Sequence, residues 1–399
     1  MITVWNPLSF AGKQVVELPQ TIDADRVKGS LAAQRRADGR QLCLLELPAK
    51  GYRTFAVEAS EDKEGVRAGQ GFAAKKFGKL GKYSLKTPYY NVSWNDRGEL
   101  TSLYDREADR EVLQQDKNGN VLRVYEDIPK DYDAWNIDSY YERKCWQMSV
   151  EEPCRLAESG EICAVLRAKL VYWSSFAEQE IIFYAHTRRI DFRTKIDWKE
   201  QQQLVKVSFP IDVMTRKASC EIHFGITERP ALLNDCKYGY SVKGSELSLT
   251  LLTSGIFPYP DADKGVHTMT YSLLPHMGDC RSGHVVQEAY LLNQRPSAQE
   301  VKWQGTLPQY SMFQLSKENV FADTVKRAED GSGLIVRMYE AYGQRTQVQW
   351  ELCGIPCVRE VQECDLMEQP QEKCRRVGNT VEFEIKPFEI KTFLVSFEQ

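Results

Sequence analysis

Alternation of apolar and polar residues with a period of two runs through most of this 399-residue chain, and it restricts the fold more than any other feature. In residues 190–198, Ile190, Phe192, Ile196 and Trp198 fall on one side of an extended chain, and Asp191, Arg193, Lys195 and Asp197 fall on the other. Successive side chains of a strand point to opposite faces, so this pattern predicts a half-buried antiparallel strand. Val205, Val207, Phe209, Ile211 and Val213 repeat it, as do Leu247, Leu249 and Leu251. Near the end of the chain Val381, Phe383 and Ile385 alternate with Glu382, Glu384 and Lys386. Strand after strand predicts an all-β protein made of β-sandwich domains in series.

Helical signals are few. The best spans residues 282–293, where Ser282 is placed to cap and Val286, Ala289, Tyr290 and Asn293 fall along one face. A chain of 399 residues exceeds one ordinary core, and its 42% hydrophobic content suffices for several. Composition sets the expected boundaries. Residues 61–82 hold five glycines and many charges without a sustained apolar pattern, and read as a linker or excursion. They separate a small β-sandwich over 1–60 from a large central one over 83–296, and a break at Arg295-Pro296 leads into a C-terminal β-sandwich over 297–399.

A net charge of −4 with no basic stripe argues against nucleic acid as a partner. Neither a long apolar run nor a signal-peptide pattern is visible, so the expectation is a soluble, cytoplasmic protein with no membrane partner. Eleven cysteines, an odd number thinly spread, read as free thiols of a reducing compartment.

The most unusual local stretch is 124–138, which sets Glu126, Asp127, Asp131, Asp133 and Asp138 among Tyr125, Tyr132 and Trp135. Carboxylates accept hydrogen bonds from sugar hydroxyls and flat rings cover apolar C–H faces, so a carbohydrate-facing loop is one reading. Read structurally, the same stretch is a turn-rich connection whose Asp residues cap backbone groups and whose Trp135 fills a core. Asp261, Asp263 and His267 raise a cation site, though their spacing matches no established metal motif, and turn closure is the plainer reading. Cys353, Cys357, Cys364 and Cys374 lack the paired knuckles of a zinc site and read as small hydrophobes. No nucleophile elbow, Walker loop or dinucleotide fingerprint occurs.

Several segments together resemble the C-terminal half of the α-mannosidases of glycoside hydrolase family 38. They include Trp5-Asn6-Pro7, Asn95-Asp96-Arg97-Gly98, the 125–138 stretch, Ile196-Asp197-Trp198, residues 225–230, 234–240 and 258–279, Glu329-Asp330-Gly331, and Pro387-Phe388-Glu389. The resemblance implies a large central galactose-mutarotase-like supersandwich flanked by smaller β-sandwiches. It also implies that the zinc ion, its His and Asp ligands and the Asp nucleophile of a retaining mechanism belong to an N-terminal barrel, followed by a helical bundle. Those signatures have no counterpart here, so the expectation is no catalytic residue and no cofactor in this chain, with zinc in the missing catalytic domain. The implied partners are that barrel, the helical domain and an α-mannoside oligosaccharide of the complete enzyme. By the same resemblance Asp127, Asp133, Trp135, Asp138, Asp261, Asp263 and His267 are candidates for the wall of the substrate cleft. The alternative is a stand-alone carbohydrate-binding or interaction module.

Overall fold

A computed structural model describes residues 1–58, 80–81, 83–213, 231–237, 239–302 and 308–398. Most of the expected 61–82 linker and the 225–230 segment lie outside the described residues. The fold is all-β: the described residues form antiparallel sheets joined by turns and a few longer loops, with a single α-helix, Val285–Asn293, among them. Two compact units share the chain, one over 72–218 and 230–277, the other over 1–71, 219–229 and 278–399.

The described residues of the unit centred on 72–277 form three sheets. One has six strands, with Ile190–Trp198 between Ser175–Tyr184 and Gly265–Leu274, and one of five strands has Gln203–Pro210 at its centre. Ile190, Phe192, Ile196 and Trp198 are all fully buried, as the alternation requires, and Thr194 completes their face. The Phe192 ring stacks on Tyr271 at 5.2 Å and meets Phe209 edge-on at 5.2 Å. Each such side chain removed from water contributes about 1.5–3 kcal/mol, which is what holds the sheets face to face.

Polar groups inside this core are closed on one another. Gln179 Nε2 donates to Thr194 Oγ1 at 2.9 Å and to Tyr271 Oη at 2.8 Å, and Asn120 Nδ2 donates to Gln179 Oε1 at 2.6 Å. The Tyr271 hydroxyl donates in turn to Asn120 Oδ1 at 2.9 Å. On the opposite face of the 190–198 strand the buried Asp191 accepts from Arg189 Nε (2.7 Å), Ser272 Oγ (2.7 Å) and Tyr184 Oη (2.8 Å). The 203–210 strand departs from the expected alternation, because every one of its residues is buried. Val205, Val207 and Phe209 face the core, while Lys206 Nζ donates to Ser241 Oγ at 2.8 Å and Ser208 pairs with Ser248.

Two larger cores stand out among the described residues of the other unit. Ile2, Val4, Val16, Leu45 and Phe55 fill the first, and Phe313, Trp350, Phe383 and Phe393 the second. Val381 and Ile385 are fully buried beside Phe383, on the face the sequence pattern assigns them. The boundary expected at 296/297 is corrected by hydrogen bonding. Ser297–Glu300 pairs with Ile2–Asn6, and Gln309–Ser311 pairs with Gly51–Phe55, so both complete the N-terminal sheet rather than open a new domain. Gly51 permits that approach: a Cβ there would stand 1.9 Å from the Tyr310 carbonyl oxygen.

The helix also differs in its start. His284, in the left-handed region, occupies the cap position, and Ser282 instead bonds Asp279 in the preceding turn. Val286 is buried in a cluster with Phe321 and Tyr339, against which Tyr290 packs.

Candidate functional site

In the unit centred on 72–277, three connections at the ends of neighbouring strands interlock. They are residues 127–144 between Val121–Glu126 and Cys145–Gln147, residues 199–202 after Ile190–Trp198, and residues 254–264 before Gly265–Leu274. The sheet register places 121–126 beside 203–210, and 203–210 beside 246–253, so the three loops leave adjoining strands. All seven sequence candidates lie on these loops or, for His267, on the strand that follows.

Asp127 is buried and works as a staple. Its N–H donates to the Gln202 carbonyl at 2.8 Å, and its Oδ2 accepts from Thr253 Oγ1 at 2.9 Å. Burial raises its carboxyl pKa above the ordinary value, the Thr253 hydrogen bond opposes that, and Asp133 and Asp138 add to it.

Asp133 joins the first loop to the third. Its Oδ2 accepts from the backbone N–H of Ile256 and from that of Phe257 at 2.9 Å. Gly255 makes room for it, since a Cβ there would stand 3.1 Å from the same oxygen. Asp138 closes its own loop, accepting from Lys130 N at 2.9 Å with the Tyr140 hydroxyl also 2.9 Å away. Those hydrogen bonds to the charged form, the Lys130 N–H first, hold its pKa below the ordinary value.

Asp261, Asp263 and His267 do not gather around a common point for a cation. Asp261 pairs with Lys264 Nζ at 2.8 Å, Asp263 Oδ2 accepts from Thr253 N at 3.0 Å, and His267 Nε2 lies 2.7 Å from the Asp263 carbonyl oxygen. Among the described residues no three His, Cys, Asp or Glu side chains are grouped as metal ligands. Of the four C-terminal cysteines Cys364 is buried and Cys374 partly buried, while Cys353 and Cys357 are exposed.

With these carboxylates committed to backbone N–H groups, hydroxyls and a lysine, the solvent-facing chemistry of the loops turns on their aromatic rings. Trp135 is 83% exposed and does not fill a core, and Tyr132 beside it, ring centroids 6.0 Å apart, is 66% exposed. Phe257 and Tyr259, on the loop that Asp133 holds, are 72% and 63% exposed. Thr253, Gln202, Phe257 and Tyr259 were not among the sequence candidates. The run Phe257-Pro258-Tyr259-Pro260 carried the signal, with rings set between residues that cannot extend a ladder. A retaining glycosidase needs two carboxyls roughly 5–5.5 Å apart, one to attack and one to protonate the leaving group. Asp127, Asp133 and Asp138 are instead tied down by the loops they organise.

Two family models match this chain. The glycosyl hydrolases family 38 C-terminal domain covers residues 85–231, and the family 38 C-terminal beta sandwich domain covers residues 319–393. The chain is 28% identical to Alpha-mannosidase G of Dictyostelium discoideum over 98% of its own length and 40% of that protein's. It is 29% identical to human Alpha-mannosidase 2C1 over 79% of its length and 34% of that protein's. Among solved structures, an alpha-mannosidase from Enterococcus faecalis V583 superposes with a TM-score of 0.74 at 14% identity, covering 100% of this chain and 56% of that one. These matches define the C-terminal β-sandwich region of a glycosyl hydrolase. The chain belongs to glycoside hydrolase family 38, and it spans well under half the length of these curated relatives. The 127–138 loop falls inside the first family match, and the 253–267 segment lies beyond it.

Proposed function

We propose that this chain is the non-catalytic C-terminal part of a retaining α-mannosidase acting on terminal α-mannosides. In this reading it packs on a zinc-bearing barrel and helical domain and shapes the substrate cleft. The observation that carries it is the clasp of Asp133 on Ile256 and Phe257, which fixes two aromatic loops in one place without leaving an acid pair for hydrolysis. Trp135, Tyr132, Phe257 and Tyr259 then supply ring surface for the cleft wall or for the contact with the barrel. Asp127, Asp138, Asp261, Asp263 and His267 act behind them by holding loop shape. A cytoplasmic location is supported by the eleven thinly spread cysteines, which suit a reducing compartment.

The test is turnover of an aryl α-mannoside with zinc present. The chain alone gives none, and addition of polypeptide carrying the catalytic barrel produces it. Steady turnover by the chain alone that disappears in Asp133→Asn overturns the proposal.

A further inference from the structure

The hairpin joining Cys163–Tyr172 to Ser175–Tyr184 turns through two residues, Trp173 and Ser174, with Tyr172 paired to Ser175. Trp173 adopts φ +50°. A two-residue hairpin that needs a positive φ at its first central position takes Gly or Asn by preference, and a bulky aromatic residue there is an outlier that only its surroundings sustain. Those surroundings are built. Glu200 Oε1 accepts from Ser174 N at 3.0 Å and from Ser175 Oγ at 2.9 Å, and Ser175 Oγ accepts from Lys199 N at 2.9 Å.

The ring so placed is not used by the core, for 72% of Trp173 is exposed. It lies on Tyr172 at 4.8 Å and 21°, and Tyr172 lies on the fully buried Trp198 at 6.0 Å and 6°. Trp198 Nε1 donates to Ser254 Oγ at 3.0 Å, which anchors the foot of the stack. Trp146, 40% exposed, leans on Tyr172 from the neighbouring sheet at 6.5 Å. A strained backbone thus holds an indole face open to solvent, with its plane set by two rings beneath.

We propose that Trp173, flanked by Trp146, is a glycan-binding platform on which one hexopyranose unit of an oligosaccharide stacks its C–H face. Two features select a sugar over a protein partner. The stack itself presents one ring and part of another, Trp173 and Trp146, a surface far below the roughly 800 Å² per partner of a stable protein interface but matched to a single pyranose. Charged groups lie on the strand that pairs with the hairpin, where Asp197 stands opposite Phe176 and Lys199 N bonds Ser175 Oγ; Lys199 Nζ is 3.5 Å from Asp197 Oδ2 with both partly exposed, and these suit the hydroxyl rim of a sugar rather than an apolar partner. The stack fixes the ring in advance, so little side-chain freedom is lost on binding. That its glycan is a mannoside rests on the function proposed above.

Calorimetric titration of the whole chain with an α-linked mannotriose and, in parallel, maltotriose tests this. The expected result is saturable binding in the roughly millimolar range, weakened at least tenfold by Trp173→Ala and unchanged by Trp5→Ala, another exposed tryptophan. Trp173→Gly guards against misfolding, because glycine suits the φ of this turn; the folded variant should lose binding as the alanine variant does. Saturation by maltotriose but not mannotriose, still dependent on Trp173, keeps the platform and removes the mannoside assignment. No saturable binding of either sugar, or binding lost in Trp135→Ala and intact in Trp173→Ala, overturns the proposal.

Discussion

The interior of the 72–277 unit and the loops at the ends of its strands both assemble polar side chains with aromatic rings, and they dispose of them in opposite ways. Inside, Asn120, Gln179, Thr194 and the Tyr271 hydroxyl satisfy one another among rings that are wholly buried. At the loops, Asp127, Asp133 and Asp138 satisfy backbone N–H groups and hydroxyls, and the rings of Tyr132, Trp135, Phe257 and Tyr259 remain in solvent. In both places the polar atoms serve the structure, because an unpaired buried donor or acceptor costs about 1–3 kcal/mol. What distinguishes a candidate binding surface from a core is therefore where the rings end, and not where the acids are.

The contrast can be broken most forcefully at Asp191. Asp191→Ala leaves Arg189 without its buried partner, and a loss of about 3–5 kcal/mol is expected in denaturant unfolding. The pH dependence has a definite sign. Arg189 and its neighbours' hydrogen bonds outweigh burial and hold the Asp191 pKa below its ordinary value, so its stabilisation is present above the usual carboxylate range and is lost as pH falls through the lowered folded pKa. An acid limb of unfolding that is unchanged in Asp191→Ala would show the contribution to be misplaced.

Next in size is Tyr271→Phe, which strips a donor from Asn120 and an acceptor from Gln179. A loss of about 1–3 kcal/mol is expected, and a fall in melting temperature without a change in binding would mark it as interior only. Asp133→Asn acts at the other pole. Global stability should move by less than about 1 kcal/mol, since opening is confined to exposed loops, but amide exchange at Ile256 and Phe257 should accelerate. Protection equal to wild type would mean that the clasp does not set the loop.

The smallest effect is expected at Asp127. Its folded pKa is raised, so its contribution is fully present below the unfolded pKa and is lost as pH rises through the folded one. Asp127→Asn, which keeps an acceptor for Thr253, should be neutral or slightly stabilising at pH 7 relative to pH 3. A clear destabilisation at pH 7 would mean that the ionised form is the one the fold prefers.

Particular residues show how far reading the chain by itself reached. Ile190, Phe192, Ile196 and Trp198 were legible because a two-residue period assigns faces without reference to any partner. The turn-closing role of the Asp residues was legible for a similar reason, since short acidic side chains bond nearby backbone wherever the chain bends. Trp135 was not, because a large apolar ring carries no mark of whether a second sheet covers it. The clasp from Asp133 to Phe257 spans 124 residues, and local pattern holds no information on such a contact. Trp173 was concealed in the same way: in the sequence it extends an apolar run, and only its φ and its stack on Tyr172 set it apart.

By itself the sequence determined the secondary-structure class, the buried face of many strands and membership of the family, because those follow from periodicity and from local residue identity. The tertiary structure alone decided that residues 297–300 and 309–311 return to the N-terminal sheet, that the acids of the loops bind backbone N–H groups and neighbouring side chains, and that Tyr132, Trp135, Phe257 and Tyr259 on those loops and Trp173 on a hairpin face water. Backbone hydrogen bonds form between segments distant in sequence, and exposure depends on what every other segment covers, so both are properties of the assembled chain.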